Sequence, residues 1–448
     1  MSSEKYPLCQ QGICRNLPTF DPSIRGLSAI ICGPTGISGF YALRALLDSP
    51  DRWARVYTLS RSALPEKMMG LLTPAQRDRV VHIPVDLCTP AESIVEAFWA
   101  AGLVRAEYVF WYAYLEPASQ TTSSFDPANA GGLIRVNAPM FDNFLRALPL
   151  AGLAPRRIVL QTGGKNYGVH VGRARRPFVE SDPQPRELAP NFYYLQEDAL
   201  KAYCRAHPET SWNVIRPAGI IGASLKSPMN MVLPFGVYAA VQARKGEPLV
   251  FGGTFESWEF ELMHSSAKLT GFLCEWAALE DKCKNEDFNS QDGATVTWNR
   301  FFEELARWFG VAGGVRPPPD DLGDAREITL KGGAECPLGY GPPVTTKMKF
   351  TLREWADDPI NRKVWEELMA ESKGQLTFSP WDPSVDINAV FWGDIGYIAF
   401  GSLAQGKARM FGFSGFVDTI ESIFETYKEM EVLGMLPPMV VEKARPLI

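Results

Sequence analysis

The chain has 448 residues, of which 46% are hydrophobic and 21% are charged, and its 45 Lys and Arg against 51 Asp and Glu give a net charge of −6. This composition excludes a wholly disordered chain. The slight excess of acid excludes a general nucleic-acid binder and a polybasic membrane-surface protein. The length allows about two or three domains, or one α/β domain with a large cap.

The cysteines and the apolar stretches indicate the cellular compartment of the protein. Its eight cysteines are widely spaced, which argues against a disulfide framework. Cys9 and Cys14 form a Cys-x4-Cys pair, but the chain has only four histidines, so we expect no metal site. Residues 1–22 lack the apolar core of a signal peptide, and the apolar stretch 229–243 is shorter than the about 20 residues of a spanning helix. We expect a cytoplasmic protein with reduced thiols.

The predicted elements begin after a polar lead-in, residues 1–25. The apolar run Leu27–Cys32 leads into Gly33-x-x-Gly36-x-x-Gly39 and then into the helical pattern 40–47, which is typical of the first unit of a dinucleotide fold. Further buried strands alternate with helical segments, and we predict them at 55–60, 80–85, 108–112, 157–161 and 212–216. This alternation predicts an α/β fold with a doubly wound parallel sheet of the Rossmann type.

The regular alternation ends near Pro217, which suggests two structural units. We place the Rossmann domain at residues 26–217 and expect parts of 246–295 to complete it. The segments 218–245 and 296–448 are predicted to form a mainly helical substrate-binding cap. Within the cap, the Gly- and Pro-rich stretch 310–345 is predicted to be a surface excursion without helix or strand.

The glycine turn and the end of the second strand indicate the cofactor. The glycines allow a pyrophosphate to approach the N-terminus of the following helix. The second strand ends in Ser60-Arg61-Ser62, and no acidic residue follows until Glu66. An acidic residue there would accept the ribose 2′-hydroxyl of NAD, whereas an Arg pairs with the 2′-phosphate of NADP, so the sequence favours NADPH. The alternative is that Arg61 is a solvated surface residue.

Other residues are expected to contact the cofactor because they lie at the turn or at strand ends. Asp86 is placed to meet the adenine amino group, although capping the helix that starts near Pro90 is its alternative role. The remaining predicted cofactor contacts are Gly33, Thr35, Gly36, Ile37, Gly39, Ser60, Leu87, Ala113, Thr162, Lys165, Tyr193, Pro217 and Ile220.

The catalytic pair of classical short-chain dehydrogenases is not found at its usual spacing in this sequence. These enzymes place a Tyr and a Lys four residues apart on one helix, so that Lys⁺ lowers the phenol pKa and holds the nicotinamide ribose. Here the position four after Tyr193 is Glu197, which cannot replace the lysine. A lysine, Lys165, instead follows the predicted strand 157–161, where it can point into the cofactor crevice.

Two segments resemble the signatures of the progesterone 5β-reductase/iridoid synthase family of atypical short-chain reductases, which are a TGxK(H/N)Y loop and an NFYYxxED helix. They are Thr162-Gly-Gly-Lys165-Asn-Tyr167 and residues 191–198. Further similarity covers nearly the whole chain, and it weakens in 316–381, where the chain is closer to fungal homologues than to plant members. The resemblance is also compatible with a homodimer.

The resemblance implies that Tyr193 and Lys165 are the catalytic residues of an NADPH-dependent 1,4-reduction of an enone or enal, in secondary metabolism. The Tyr193 hydroxyl would hydrogen-bond the carbonyl oxygen as it becomes an enolate, and Lys165 would supply positive charge beside the ribose and the phenol. Two alternatives stay open. One is a 1,2-carbonyl reductase or alcohol dehydrogenase that uses the same tyrosine, and the other is a non-redox cyclase, isomerase or binding protein.

The sequence departs from the family at several positions, so the resemblance does not identify the substrate, which we expect to be a small apolar carbonyl compound. Ser62 replaces a second arginine, which weakens the expected preference for NADPH over NADH. Ala113-Tyr114 stands in place of Thr-Trp, and 169–172 replaces a Met-Gly-Pro-Phe-like segment. Both stretches line the substrate side in the family, so steroid or iridoid specificity does not carry over. The candidate pocket residues, each with hydrophobic packing in the cap as its alternative role, are Tyr114, Tyr167, Tyr194, Met229 and Met231.

Overall fold

The computed structural model describes residues 6–117, 127–227 and 229–447. Residues 1–5 of the lead-in, 118–126 of the predicted Rossmann domain, and Pro228 and Ile448 of the predicted cap therefore lie outside the described residues. The strands in chain order are β1 (Cys9–Gln11), β2 (Cys14–Leu17), β3 (Leu27–Cys32), β4 (Trp53–Ser60), β5 (Val80–Pro84), β6 (Tyr108–Trp111), β7 (Arg157–Gln161), β8 (Ser211–Pro217), β9 (Ile220–Ile221), β10 (Leu249–Val250), β11 (Ser265–Ser266), β12 (Glu286–Ser290), β13 (Val315–Arg316), β14 (Arg326–Leu330) and β15 (Val344–Met348).

The α-helices alternate with these strands in the first half of the chain and dominate the second half. They are α1 (Ile37–Leu47), α2 (Glu66–Met69), α3 (Pro74–Arg77), α4 (Ala91–Ala100), α5 (Ala130–Leu150), α6 (Phe192–Ala206), α7 (Leu233–Lys245), α8 (Phe255–Glu259), α9 (Ala267–Leu279), α10 (Trp298–Phe309), α11 (Leu352–Ala356), α12 (Pro359–Glu371), α13 (Ile387–Val390), α14 (Gly406–Met410) and α15 (Thr419–Val432).

A seven-stranded parallel sheet in the order β12-β8-β7-β6-β3-β4-β5 forms the centre of the molecule. The predicted doubly wound sheet is thus confirmed, and each of the six predicted strands agrees with the observed strand to within two residues at either end. The chain builds β3, β4 and β5 toward one edge and then β6, β7, β8 and β12 toward the other. This reversal opens a crevice at the carboxyl ends of β3 and β6.

The strands are apolar on both faces because helices cover both sides of the sheet. Along β3, Ala29 and Ile31 belong to the core beneath α1 and α9, whereas Ile30 and Cys32 belong to the core beneath α4, α5 and α6. Successive side chains of a strand point to opposite faces, so one short apolar run supplies both cores. All four residues are completely buried.

The Gly- and Pro-rich region of the cap contains three short strands that were not predicted from the sequence. The prediction that 310–345 has no helix or strand is wrong, because β14 and β15 form an antiparallel hairpin there and β13 pairs with β10. Within the hairpin Glu327 lies opposite Lys347, and their charged groups are 3.8 Å apart. The flanking glycines and prolines hid strands that are only five residues long.

The last helix of the cap, α15, contacts α1, the helix that follows the glycine turn. Glu429 of α15 accepts a hydrogen bond from the Tyr41 hydroxyl and forms an ion pair with Arg44 at 2.7 Å, and both partners lie on α1. The cap is therefore attached to the Rossmann unit along α1. Among the helices of the described residues, none combines the length and the apolar character needed to cross a bilayer.

Candidate active site

A cavity of about 760 Å³ occupies the crevice between the carboxyl ends of the strands and the cap. Every residue predicted to contact the cofactor lines this cavity, from Gly33 in the turn to Ile220 beyond β8. Three of the five predicted substrate residues also line it, namely Tyr114, Met229 and Met231. The fold therefore gathers positions that are up to about half the chain length apart into one site.

Two predicted substrate residues, Tyr167 and Tyr194, do not line the cavity, so that expectation is wrong. Tyr167 is only 4% exposed because its ring stacks on Phe178 and its hydroxyl donates to Asn289 Oδ1 at 2.5 Å. Tyr194 is equally buried, and its hydroxyl donates to the carbonyl of Asn166 at 3.2 Å. Both tyrosines support the loop that carries Lys165 from behind.

The glycine turn is shaped so that the backbone itself forms one wall of the site. Gly33 has a φ of +80°, and a Cβ there would lie 2.8 Å from the backbone of Ala113. A Cβ on Gly39 would lie 2.2 Å from the carbonyl oxygen of Gly33. Gly36 is the N-cap of α1 and provides no side-chain hydrogen bond, so the first N–H groups of the helix stay available to an anionic ligand.

The cap also holds this turn in place. The Ser224 hydroxyl donates to the carbonyl oxygen of Thr35 at 2.6 Å, and the Ser224 backbone N–H donates to Asn230 at 2.9 Å. Thr35 lies in the middle of the glycine turn, while Asn230 separates Met229 from Met231 on the cavity wall. One short segment thus contacts both the turn and the cap side of the cavity.

The predicted adenosine side of the cavity is more open. Arg61 is exposed and forms no ion pair among the described residues. The Ser60 hydroxyl donates to the carbonyl of Ser62 at 2.8 Å, which bends the chain just after β4. The alternative role of Asp86 as a helix cap is wrong, because α4 has Pro90 as its N-cap and Asp86 Oδ1 accepts from the Cys88 N–H at 3.0 Å.

Tyr193 and Lys165 come from different elements that one side chain, Asn191, joins together. As the N-cap of α6, Asn191 accepts a hydrogen bond from the Tyr193 N–H at 3.0 Å, and its Nδ2 donates to the Lys165 carbonyl at 3.0 Å. A Cβ on Gly163 would lie 3.5 Å from the Tyr193 hydroxyl oxygen. The lysine loop therefore runs directly past the phenol.

The environment sets opposite charge states for these two groups. Burial raises the pKa of the Tyr193 phenol to about 12, so the hydroxyl stays protonated and can donate a hydrogen bond at neutral pH. Burial lowers the pKa of Lys165 to about 8, although the nearby negative charge of Glu116 opposes this shift. Lys165 is therefore still mostly cationic at neutral pH and begins to lose its charge above it.

Glu197, which stands where classical short-chain dehydrogenases carry their lysine, has a structural role. It is 1% exposed, and its carboxylate lies 3.5 Å from Arg216 and 3.3 Å from Lys201. Arg216 forms a further ion pair with Asp287 at 2.7 Å. This buried network links α6 to β8 and β12, and it does not reach into the cavity.

Most of the apolar wall of the cavity was not predicted from the sequence. The unpredicted side chains come partly from the cap, namely Trp298, Trp392, Ile395, Ile398 and Phe400, and partly from segments placed with the Rossmann domain, namely Phe178, Leu262, Met263 and His264. They are mostly apolar, so this end of the cavity suits an apolar molecule. No local pattern marks them, because they come from four separate segments and only the fold brings them together.

The residues present fit a dinucleotide. Besides the glycine cradle, two buried polar atoms that line the strand ends, Gln161 Oε1 and Thr162 Oγ1, have no hydrogen-bond partner among the described residues. Buried polar atoms are normally paired in folded proteins, so these two mark a place where a polar ligand completes the structure. Gln161 and Thr162 lie at the end of β7, directly before Lys165.

A Rossmann sheet with a glycine cradle and with a tyrosine and a lysine at the carboxyl ends of its strands defines an oxidoreductase of the short-chain dehydrogenase/reductase class. A family model described as a PRISE-like Rossmann-fold domain matches residues 127–330. The chain belongs to the progesterone 5β-reductase/iridoid synthase family of atypical short-chain reductases, as its similarity to known members shows.

The chain is similar to proteins from fungi and plants. A short chain dehydrogenase, gsfE, of Penicillium aethiopicum is 27% identical over 92% of this chain and 99% of that protein. The (S)-8-oxocitronellyl enol synthase ISY1 of Nepeta racemosa is 31% identical over 77% of this chain and 86% of its own length. A 3-oxo-Δ(4,5)-steroid 5β-reductase of Arabidopsis thaliana is 30% identical over 63% and 69%. The family and the cradle together support a nicotinamide cofactor.

Proposed function

We propose that this protein is an NADPH-dependent reductase that adds hydrogen across the carbon–carbon double bond of a small apolar α,β-unsaturated carbonyl compound in the cytoplasm. One observation carries the proposal. Tyr193 and Lys165 both line a cavity that combines a dinucleotide cradle at one end with an apolar cap at the other, and Asn191 joins their backbones through two hydrogen bonds.

The protein's own residues would stabilise the charge that develops on the substrate. Bound NADPH would supply the hydride for the β-carbon of the substrate and would itself be oxidised. As electrons shift toward the carbonyl oxygen, the Tyr193 hydroxyl donates a hydrogen bond to that oxygen. Because burial raises the pKa of Tyr193 to about 12, the phenol keeps its proton until this stage. The saturated product then requires one proton at the α-carbon, which solvent can deliver.

Lys165 and Arg61 have separate tasks in this proposal. Lys165 places a positive charge next to the phenol and the ribose, which favours the negatively charged enolate oxygen. Arg61, exposed at the end of β4, supplies the positive charge for the 2′-phosphate that distinguishes NADPH from NADH. Since Ser62 offers no second cation, we expect preference for NADPH without strict exclusion of NADH.

The test combines NADPH consumption with product analysis. The purified protein is mixed with NADPH and a panel of enones and enals, including small ones such as methyl vinyl ketone, and the products are identified by mass spectrometry. We expect saturated carbonyl products and a matching loss of NADPH absorbance. Allylic alcohols would instead establish 1,2-reduction, and rearranged products without NADPH oxidation would establish a non-redox enzyme. Tight NADPH binding without turnover of any compound would also overturn the proposal.

Two tyrosine variants give a matched comparison. Tyr193→Phe removes the donor that faces the cavity, so kcat should fall on the order of a hundredfold or more while NADPH binding stays unchanged. Tyr194→Phe removes a hydroxyl that is buried behind the loop and bonded to Asn166, so its kcat should stay within about threefold of the wild type. Equal losses in both variants would show that Tyr193 has no special chemical role.

A further inference from the structure

The apolar cap end of the cavity contains one buried imidazole, that of His264. It is 5% exposed and lines the cavity together with Leu262, Met231 and Trp298. Its Nδ1 is buried without a hydrogen-bond partner, and the imidazole forms no hydrogen bond to any residue in the described parts of the chain. A polar ring in this position is unusual, because buried polar groups are normally paired.

The backbone around His264 fixes the position of this ring. The carbonyl of His264 accepts a hydrogen bond from the Asp292 N–H at 2.9 Å. The next residue, Ser265, begins β11, which pairs with β9, and its hydroxyl donates to the carbonyl of Ala218 at 2.9 Å. His264 therefore lies directly before a strand that is attached to the segment following β8, so its ring is preorganised and is not a mobile surface side chain.

The imidazole lies close to the reacting end of the cavity without touching Tyr193. Gly219 has no side chain, and a Cβ there would lie 3.2 Å from His264 Cδ2. Two residues earlier, the carbonyl oxygen of Pro217 flanks Gly163, the residue that the Tyr193 hydroxyl approaches. The segment Pro217–Gly219 thus separates the phenol from the imidazole, and both groups line the same cavity.

The charge of the ring limits what it can bind. Burial lowers the pKa of His264 to about 4, so the imidazole is neutral at physiological pH. A neutral imidazole offers one N–H donor and one acceptor nitrogen. It cannot neutralise a carboxylate or phosphate, and burying such an anion beside it would be costly. Its matching ligand is a neutral oxygen, either a carbonyl or a hydroxyl group.

We propose that His264 is a specificity-determining residue that hydrogen-bonds a second neutral oxygen of the substrate, apart from the carbonyl oxygen held by Tyr193. The inference rests on the proposed function and narrows its substrate class. The preferred substrate is an otherwise apolar enone that carries a further carbonyl or hydroxyl group. An enone without the second oxygen would leave the imidazole unpaired. Sites that hydrogen-bond a substrate reject analogues lacking the bonded group more strongly than analogues that differ only in size.

The experiment uses three bicyclic enones of one skeleton, which carry hydrogen, a hydroxyl or a ketone on the second ring. We expect the wild type to favour at least one oxygenated compound over the parent enone by about tenfold or more in kcat/KM. His264→Phe keeps a flat ring but cannot hydrogen-bond, so the ratio of kcat/KM values for the oxygenated and the parent enones should fall to about one. His264→Gln, which keeps a donor and an acceptor, should restore part of the preference.

Two controls distinguish a hydrogen bond from His264 to the substrate from a steric effect or a cofactor contact. Met231→Leu changes the same wall without changing its polarity, so it should keep the preference. Fluorescence titration should give the same NADPH affinity for the wild type and His264→Phe, and a large loss of affinity would make His264 a cofactor residue and overturn the proposal. An equal loss of kcat/KM for all three enones, or no preference in the wild type, would also overturn it.

The two proposals can fail separately. If the wild type reduces neither the three bicyclic enones nor any compound of the enone and enal panel, the proposed function fails, and the His264 inference is then tested by binding alone. Thermal shifts in the presence of NADP⁺ and the saturated ketones of the same skeleton should still favour the oxygenated compounds, and His264→Phe should abolish that difference. Identical shifts for all compounds in both proteins would refute the role of His264.

Discussion

The two ends of the cavity are built in different ways. At the cofactor end, consecutive strands deliver backbone turns and short side chains to one edge of the sheet, and glycines such as Gly33 and Gly39 determine the shape. At the substrate end, large side chains from distant segments, among them Trp298 and Phe400, meet only because the cap folds over the sheet. Backbone shape tolerates almost no added atoms, whereas a wall of side chains can repack.

This difference explains how one architecture can keep its cofactor and change its substrate. A change at the cofactor end alters the course of the main chain, so it affects binding and folding together. A change at the substrate end alters the volume and polarity of the wall and leaves the sheet intact. We therefore expect mutations at the two ends to differ in size and in kind, and five predictions test this contrast.

The most severe test is Gly39→Ala. The added methyl group would lie 2.2 Å from the Gly33 carbonyl oxygen, so the turn must open. We expect NADPH affinity to fall on the order of a hundredfold and the melting temperature to drop by several degrees. Gly406→Ala, which places its methyl group in open space, is the matched control and should change neither quantity. Fluorescence titration measures the NADPH affinity, and thermal melts measure the melting temperature. Wild-type values of both in Gly39→Ala would contradict the expected difference between the two ends of the cavity.

The second prediction concerns the charge of Lys165. Because its pKa is lowered to about 8, the side chain is cationic below that pH and neutral above it. If the charge is required, kcat/KM should fall about tenfold per pH unit above pH 8. Lys165→Arg stays protonated throughout this range, so its pH–rate profile should lack this fall even if its overall rate is lower. The same alkaline fall in both proteins would assign it to another group.

The third prediction separates the two nicotinamide cofactors. Arg61→Ala removes an exposed cation, so the KM for NADPH should rise about tenfold while the KM for NADH stays within about twofold. Steady-state kinetics with each cofactor measure this difference. Ser62→Arg is the complementary variant and should increase the preference for NADPH. Equal changes with both cofactors would mean that Arg61 is only a solvated surface residue.

The fourth prediction lies at the junction of the two ends. Asn191→Asp keeps the oxygen that caps α6 but replaces the amide that donates to the Lys165 carbonyl. The melting temperature should change little, whereas kcat/KM should fall by about fivefold because the loop loses its hydrogen bond. The new carboxylate should also move the alkaline limb of the pH–rate profile to higher pH, since it favours protonated Lys165. An unchanged limb would leave Asn191 with a capping role only.

The smallest effect is expected from Met229→Ala on the cap wall. This half-buried side chain lines the cavity, and its truncation enlarges the substrate end. The ratio of kcat/KM values for a bulky and a small enone should shift by a few-fold in favour of the bulky one, and NADPH affinity should not change. Competition between the two enones in one reaction measures the ratio directly. A loss of NADPH affinity would break the proposed separation of the two ends.

How far the sequence predicts this molecule depends on whether the information is local. The strand, glycine turn and helix around Gly33–Gly39 follow from short-range patterns, and so do the positions of Lys165 and Tyr193 near strand and helix ends. Tyr167 and Tyr194 show the limit, because residues close in the chain to a proposed catalytic residue can point away from the cavity that it lines. Their direction is decided by long-range partners such as Asn289, which no local pattern contains.

The cap shows the same limit more strongly. The hairpin of β14 and β15 was hidden because the Gly- and Pro-rich flanks dominate the local composition. His264 was hidden for a different reason, since its importance arises from the absence of a partner among the described residues of the folded chain. A single sequence reveals which residues can form hydrogen bonds, but only the fold reveals which of them fail to find one.

The hydrogen bond from Ser224 to Thr35 gives the two ends of the cavity a direct physical connection. The segment that holds the glycine turn continues directly into Met229 and Met231 on the substrate wall. If a ligand moves the turn and thereby changes the energy of that wall, then by reciprocity a ligand that orders the wall must change the affinity of the turn by the same factor. Substrate affinities measured with and without bound cofactor accordingly describe two different equilibria, and comparisons between variants require one fixed cofactor saturation.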